Sequence, residues 1–164
     1  MKLIDSLITE FEHEAQTTRK HLERMPDNQM DWRPHQKSFT AGALASHITE
    51  SVGWTEVIFN QDEFNFDPAT YAPYQARSVT DLLNTFDDNV ARGRQALTDA
   101  TDDALAQTWQ FKIMGRVQFE KPRASVFRDF GLSHMIHHRG QFSVYRRLLN
   151  IPVPGSYGPS ADEK

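Results

Sequence analysis

The chain has 164 residues and no cysteine, and its 18 Lys and Arg against 22 Asp and Glu give a formal net charge of −4 at pH 7. The acidic balance argues against a nucleic-acid partner and a polybasic membrane surface, and the lack of cysteine excludes disulfides, cysteine-ligated zinc and a cysteine nucleophile. Because the N-terminal residues also lack the long apolar run of a signal peptide or membrane span, we expect one cytoplasmic globular domain over residues 1–164.

Two amphipathic segments open the chain. In the first, from about Lys2 to Met25, apolar residues recur at helical spacing until Pro26 ends the pattern. The second runs from about Ala41 to Gln61, with Thr40 as a good N-terminal cap. The centre of its apolar face carries His47, so a polar imidazole ring is predicted in the apolar interior of the bundle.

The middle of the chain combines loops, a third helix and a possible hairpin. Residues 62–78 contain two prolines and predict a long loop, and a third amphipathic helix follows from about Asp81 to Thr98. From Thr108 to Phe119 apolar residues alternate with polar ones around a Met114-Gly115 turn. This alternation predicts a short two-stranded hairpin.

A fourth amphipathic segment runs from about Pro122 to Asn150 and is followed by a proline- and glycine-rich extended tail over residues 151–164. Its apolar face includes His134, His138, Gln141 and Tyr145. Four long amphipathic helices predict an all-α four-helix bundle, with the possible hairpin between the third and fourth helices.

Three histidines lie on faces that must meet in such a bundle. His134 and His138 are four residues apart and therefore project from one side of the fourth helix, the spacing at which a helix presents two imidazoles to one metal ion. His47 faces them from the second helix. The structural alternative is three core histidines that are hydrogen bonded, but three buried rings without partners would cost several kcal/mol. We therefore predict that His47, His134 and His138 bind one divalent metal ion.

The remaining histidines have ordinary interpretations. His137 lies about 80° away from the predicted core direction and is placed at the bundle edge. We expect the others to be solvated side chains: His13 opposite the apolar face of the first helix, His21 at the edge of that face, and His35 in a loop.

Three further side chains are weak candidates for catalytic roles. Glu50 follows His47 by three residues and could accept its N–H or act as a base, although a solvated glutamate at a helix edge is the simpler interpretation. Gln141 and Tyr145 lie one to two turns beyond His138 on the same face. They could contact a substrate or simply pack in the core.

The pattern of these residues resembles a known family. One histidine in the second helix, then His134-xxx-His138-Arg139-Gly140-Gln141 and the segment from Asn150 to Glu163, resemble the DinB superfamily in its YfiT-like group, which is distinct from the DNA polymerase of the same name. The resemblance covers essentially the whole chain. It implies a bacterial four-helix-bundle protein, commonly a homodimer, with nickel or zinc held by residues matching His47, His134 and His138.

The same resemblance implies a thiol-dependent S-transferase or a related hydrolase, acting on a small molecule with a low-molecular-weight thiol as cosubstrate. Because the chain has no cysteine, that thiol would come from outside the protein. Alternatives are a non-catalytic metal- or ligand-binding stress-response protein and a bundle whose histidines are structural. The residues do not identify the substrate.

A second face of the fourth helix predicts a homodimer. Leu132, Ile136, Gly140 and Ser143 form a patch of aliphatic and small residues that another helix could approach closely. The alternative is that the hairpin, the 62–78 loop or the tail covers this patch within one chain.

Overall fold

The computed structural model describes residues 2–163, so that Met1 and Lys164 lie outside the described part of the predicted domain. Three long helices match the first three predicted segments: α1 (Leu3–Leu22), α2 (Ala41–Asn60) and α3 (Val79–Asp99). The Thr40 hydroxyl caps α2 as predicted, because its oxygen accepts the N–H of Ala43 at 3.1 Å. Short helical turns at Asp27–Gln29 and α4 (Asp102–Ala106) lie between longer elements.

The fourth predicted helix is a continuous rod of three consecutive segments: α5 (Arg123–Val126), a π-helix (Phe127–Ser133) and α6 (His134–Leu148). At the last junction the His134 N–H bonds to the Asp129 carbonyl five residues back rather than four. Such wide turns often occur at functional sites. Here the π-helix leads directly into the first histidine of the predicted pair.

A small three-stranded mixed sheet corrects the predicted fold class, which was an all-α four-helix bundle with a possible hairpin. The predicted hairpin is present as β2 (Thr108–Ile113) and β3 (Arg116–Pro122), which are antiparallel. Its turn has φ values of 48° at Met114 and 77° at Gly115, as a two-residue turn of this hand requires. A third strand, β1 (Glu63–Phe66), pairs parallel to β2 inside the segment predicted to be a loop.

The hydrophobic core lies between α1, α2, α3 and the fourth rod. It is built mainly from aliphatic and phenylalanine side chains that are less than 6% exposed, such as Leu7, Phe11, Ile48, Phe86 and Phe127. Four of these five are apolar positions that the helical periodicity identified, whereas Ile48 lies outside the predicted face of α2, which was centred on His47. Packing α2 between α3 and α6 fixes the distance between the two helices that carry the three histidines.

The core face of α6 differs from the predicted one by about a quarter turn. Its buried residues are Met135, Arg139, Phe142 and Arg146, whereas the predicted face had placed His134 and His138 at its centre. The difference arises because two of the most buried side chains are arginines, which ordinary patterning assigns to the surface. The two histidines consequently lie at the edge of the core, half-buried.

The buried guanidinium groups hold the C-terminal segment against the bundle. Arg139 donates to a Glu14 carboxylate oxygen at 2.6 Å and to the Tyr157 hydroxyl at 2.8 Å. Arg146 donates to the carbonyls of His21 and Pro152. Residues 151–163 form no helix or strand, as predicted for an extended tail, but these hydrogen bonds hold them against the bundle.

Among residues 2–163, every helix is too short or too polar to cross a lipid bilayer.

Candidate metal centre

Helix α2 provides His47 in an aromatic environment. The imidazole is 24% exposed, and the ring centroids of Trp54 and Phe39 lie 5.7 and 5.8 Å from its own. Trp54 also lies 5.0 Å from the ring of His134. These aromatic rings shield one side of the imidazole from water.

Helix α6 supplies the other two rings from its first and second turns. His134 and His138 have centroids 4.5 Å apart, as the four-residue spacing predicts. Because His134 is the residue at which the π-helix ends, its direction depends on the wide turn before it.

The three imidazoles converge on one point, as predicted. Nε2 of His47 and Nε2 of His134 are 2.9 Å apart, and one ring nitrogen from each of His47, His134 and His138 lies within 4.8 Å of the others. Two nitrogens bound to a tetrahedral zinc ion at 2.0–2.1 Å are about 3.3 Å apart. The separation of the donors therefore fits one ion held by three imidazoles.

The outer nitrogens of two rings face acceptors. Nδ1 of His138 donates to the Gln141 side-chain oxygen at 2.7 Å, which leaves Nε2 of that ring available as a ligand. Nδ1 of His47 lies 3.8 Å from a Glu50 carboxylate oxygen. Carboxylates and amide oxygens commonly orient metal-binding histidines in this way, so the surroundings also fit a metal ion.

Glu50 is not the solvated glutamate that its helix-edge position favours. Its side chain is 16% exposed, and it accepts a hydrogen bond from the Tyr71 hydroxyl at 2.7 Å. Burial acts to raise the pKa of Glu50, but the His47 ring and the Tyr71 hydroxyl outweigh that effect and hold the pKa below its usual value. Glu50 is thus an oriented carboxylate behind His47, and Tyr71 is a partner that the sequence did not indicate.

Burial favours the uncharged form of His134 and His138 by lowering the pKa of each ring. Desolvation, followed by the proximity of His138 and His47, lowers the pKa of His134 to about 4. Desolvation also lowers the pKa of His138. Neutral imidazole is the form that binds a metal ion, so near neutral pH these rings need lose no proton to bind one.

Tyr145 and His137 lie beside the histidine cluster rather than in it. The Tyr145 hydroxyl donates to the Phe39 carbonyl at 3.3 Å, and its ring packs edge-on against Trp32 at 5.6 Å, so Tyr145 contacts the segment that precedes α2. His137 is exposed, at the edge where its helical angle places it, and its ring centroid is 4.9 Å from that of His138. Its nitrogens are not part of the group formed by His47, His134 and His138.

Of the three remaining histidines, one differs from expectation. His13 and His35 are exposed as predicted, but His21 is only 1% exposed and its Nε2 lies 3.1 Å from the Ser156 hydroxyl. The C-terminal segment covers the edge of α1 that carries His21. The composition of that segment did not indicate this contact. Burial, together with the charges of Arg146 and Arg139, lowers the pKa of His21 to about 4.

A large apolar cavity adjoins the histidine cluster. Its volume is about 360 Å³, and His47 and Trp54 form part of its wall together with the sheet and the π-helix. From the sequence, Trp54 and Ile58 are candidates for the wall of an apolar pocket, although core packing is the simpler interpretation of them. The wall that Phe64 and Phe66 form is not predicted, because residues 62–78 are predicted to be a loop.

The fold and site define a class of protein in which a bundle presents three histidines to one side of a small sheet. A family model described as the DinB superfamily matches residues 10–142, and the chain belongs to that superfamily. This confirms the resemblance inferred from the histidines and the residues that follow them.

Individual relatives agree with this assignment. The chain is 28% identical to the uncharacterized protein YrdA of Bacillus subtilis (strain 168) over 98% of its own length and 91% of that protein. A DinB-like protein from Bacillus cereus ATCC 10987 has a similar crystal structure, with a TM-score of 0.75, 23% identity and coverage of 93% of this chain and 97% of that one. The crystal structure of the DinB-like protein YjoA of Bacillus subtilis gives a TM-score of 0.70 at 16% identity, with coverage of 97% of this chain and 99% of that one.

Proposed function

We propose that the chain is a divalent-metal-dependent enzyme of the thiol S-transferase or hydrolase type, with His47, His134 and His138 as the ligands of one zinc or nickel ion. A divalent ion held by neutral imidazoles lowers the pKa of water or of a thiol that it binds. Imidazole donors suit zinc and nickel equally, so the donor set favours neither ion.

The observation that carries this proposal is the convergence of three half-buried imidazoles without a fourth protein donor. Within residues 2–163 the cluster contains these three side chains alone, and the nearest carboxylate, Glu50, faces the outer nitrogen of His47. Three histidines with an open position are typical of catalytic zinc, whereas structural zinc is closed by four ligands. An open position supports a catalytic or ligand-binding role.

The lack of cysteine determines where the sulfur of a thiol transfer would come from. If the reaction is thiol transfer, the nucleophile is a small thiol that binds as a cosubstrate, because the protein has no cysteine. In the transfer, the thiol sulfur forms a bond to an electrophilic carbon, the thiol proton passes to solvent, and the leaving group departs with its bonding electrons. Hydrolysis follows the same pattern with water as the nucleophile.

Turnover measurements on zinc- and nickel-loaded protein test the proposal. The protein would be assayed with cysteine or glutathione against chloronitrobenzene electrophiles, and with aryl esters for hydrolysis. We expect turnover that disappears in His138→Ala and persists in the matched variant His137→Ala, whose ring lies outside the cluster. Ligand binding without turnover would instead indicate a binding protein, and a metal effect on thermal stability alone would indicate a structural site.

A further inference from the structure

We propose that the cavity beside His47 binds the apolar, aromatic body of an uncharged small molecule whose reactive group faces the three histidines. This inference rests on the proposed function and names the substrate class for the same site. In a thiol transfer, the molecule in the cavity is the electrophile rather than the thiol.

The chemistry of the cavity wall identifies an uncharged occupant. Its lining residues are aliphatic and aromatic, and the polar groups they carry are the His47 ring, the indole N–H groups of Trp54 and Trp109, and the Tyr71 hydroxyl, which is already bonded to Glu50. No carboxylate, ammonium or guanidinium group of residues 2–163 lines it. A charged molecule would lose its hydration there without gaining a side chain of opposite charge from the lining, which costs several kcal/mol. Cysteine and glutathione carry such charges, so they are poor occupants.

The size and shape of the cavity indicate a flat molecule of about two rings. An apolar cavity of about 150 Å³ holds one benzene molecule, and this one measures about 360 Å³. Phe111, Phe119 and Phe130 form a stack along one wall, with successive centroids 5.4 Å apart and ring planes within 25° of parallel. Planar aromatic groups pack favourably against such rings, either offset-stacked or edge-to-face.

Two parts of the cavity lining orient its occupant. Phe64 is 38% exposed, so the cavity meets solvent beside that ring, whereas Tyr71 lies on the histidine side, because its hydroxyl bonds to Glu50 behind His47. His47 and Trp54 belong both to the lining and to the surroundings of His134. A molecule that places its rings against the phenylalanine stack can therefore present a polar group to the histidine cluster.

Three probes separate the contribution of the cavity from that of the metal ion. Calorimetric titration of zinc-loaded protein would use three compounds, of which 2-naphthohydroxamic acid carries both a metal-binding group and two fused rings. Acetohydroxamic acid has the same metal-binding group without the rings, and 2-naphthamide has the rings without that group. Burying a naphthyl group in an apolar cavity predicts binding at least about 100-fold tighter for 2-naphthohydroxamic acid than for acetohydroxamic acid.

Filling the cavity tests the location. Val57→Phe, or Ile113→Phe if the first variant fails to fold, places a ring in the lining and should reduce naphthohydroxamate affinity at least about tenfold while leaving acetohydroxamate affinity unchanged. The matched control is Val144→Phe, since Val144 is 56% exposed on α6 and lies outside the cavity.

The outcomes distinguish this inference from the proposed function. If both hydroxamates bind equally and the cavity-filling variant changes neither, the metal site stands and the cavity proposal is overturned. If 2-naphthamide binds as tightly as 2-naphthohydroxamic acid and acetohydroxamic acid does not bind, the cavity accepts its ligand but the metal-centred function fails.

Discussion

The imidazole of His138 and the carboxamide of Gln141 are joined on a single turn of α6 by a hydrogen bond of 2.7 Å. Since the amide oxygen can only accept, Nδ1 of His138 carries the proton and Nε2 is left free. Gln141→Ala should remove this constraint and weaken zinc binding by about 10- to 100-fold. Competition with a chromogenic chelator measures the change.

Gln141→Glu is the matched control, because a carboxylate at the same position keeps an acceptor for Nδ1. We expect this variant to retain zinc affinity near that of the unaltered protein. Equal affinities for the alanine and glutamate variants would show that Gln141 does not position His138.

Metal content should depend on the three converging histidines and on no neighbouring one. Elemental analysis should give about one ion per chain for the protein, and His138→Ala should lose it because two imidazoles do not hold a divalent ion through dialysis. His137→Ala should keep it, since its ring is exposed and outside the cluster. Undiminished stoichiometry in all three single alanine variants of His47, His134 and His138 would overturn the ligand assignment.

The histidine cluster was predictable from sequence because its members lie on regular helices. The His134–His138 spacing fixes their relative direction, and His47 lies on the face of α2 that must meet α6. The cavity was not predictable to the same degree. Its strand β1 is short and finds its partner in β2 through non-local hydrogen bonds, so residues 63–66 contain only two alternating phenylalanines as a local signal.

The buried arginines illustrate a different limit. Arg139 lies in the run after the histidines, and its partner Tyr157 lies in the C-terminal segment, so two stretches that carried the family resemblance touch one another. Periodicity treats arginine as a surface residue and cannot anticipate that Glu14 neutralises it inside the core. This is why the core face of α6 was misplaced.

Gly131 should be the glycine of the fourth rod that tolerates alanine least. A Cβ at this position would lie 2.6 Å from a ring carbon of the fully buried Phe127, so the ring would have to move within a packed core. Gly131→Ala should lower the free energy of unfolding by about 1–3 kcal/mol and weaken metal binding at the adjacent His134. Urea unfolding monitored by circular dichroism measures the first effect.

Gly140→Ala provides the comparison on the same rod. A Cβ there meets nothing within 4 Å, and replacing a helical glycine by alanine is ordinarily stabilising by about 0.5–1 kcal/mol. Similar losses of stability in both variants would mean that the close approach of Gly131 and Phe127 is not responsible.

His21 should make the fold sensitive to mild acid. Its pKa is lowered to about 4 in the folded chain, against about 6.5 when unfolded, so below pH 6.5 the unfolded state binds more protons. The contribution of His21 is fully present above pH 6.5 and is lost as the pH falls to about 4, up to about 3 kcal/mol. Urea unfolding at several pH values should show a shallower loss for His21→Gln, which can keep a polar contact with Ser156 but does not titrate.

The homodimer stays a prediction. The structure shows which residues of the predicted contact patch on the fourth helix are accessible to a second chain. Leu132 is 2% exposed and belongs to the core of its own chain, whereas Ile136 is partly exposed and Gly140 is open. Light scattering at micromolar concentration should give about twice the 18.9 kDa chain mass, and Ile136→Glu should shift it towards monomer. A wild-type mass equal to one chain would rule out the dimer.

The π-helix before His134 also determines where the chain can change in length. Each hydrogen bond of a π-helix spans five residues instead of the four of an α-helix. The π-helix is therefore equivalent to a one-residue insertion in an otherwise continuous α-helix. Deleting the exposed Ser133 should let the segment close as an α-helix with both flanks still aligned. Deleting Val144, which is also exposed, should instead rotate Arg146 by about 100° out of the core. Among natural variants of this sequence, single-residue deletions are therefore expected at the π-helix and not after the histidines.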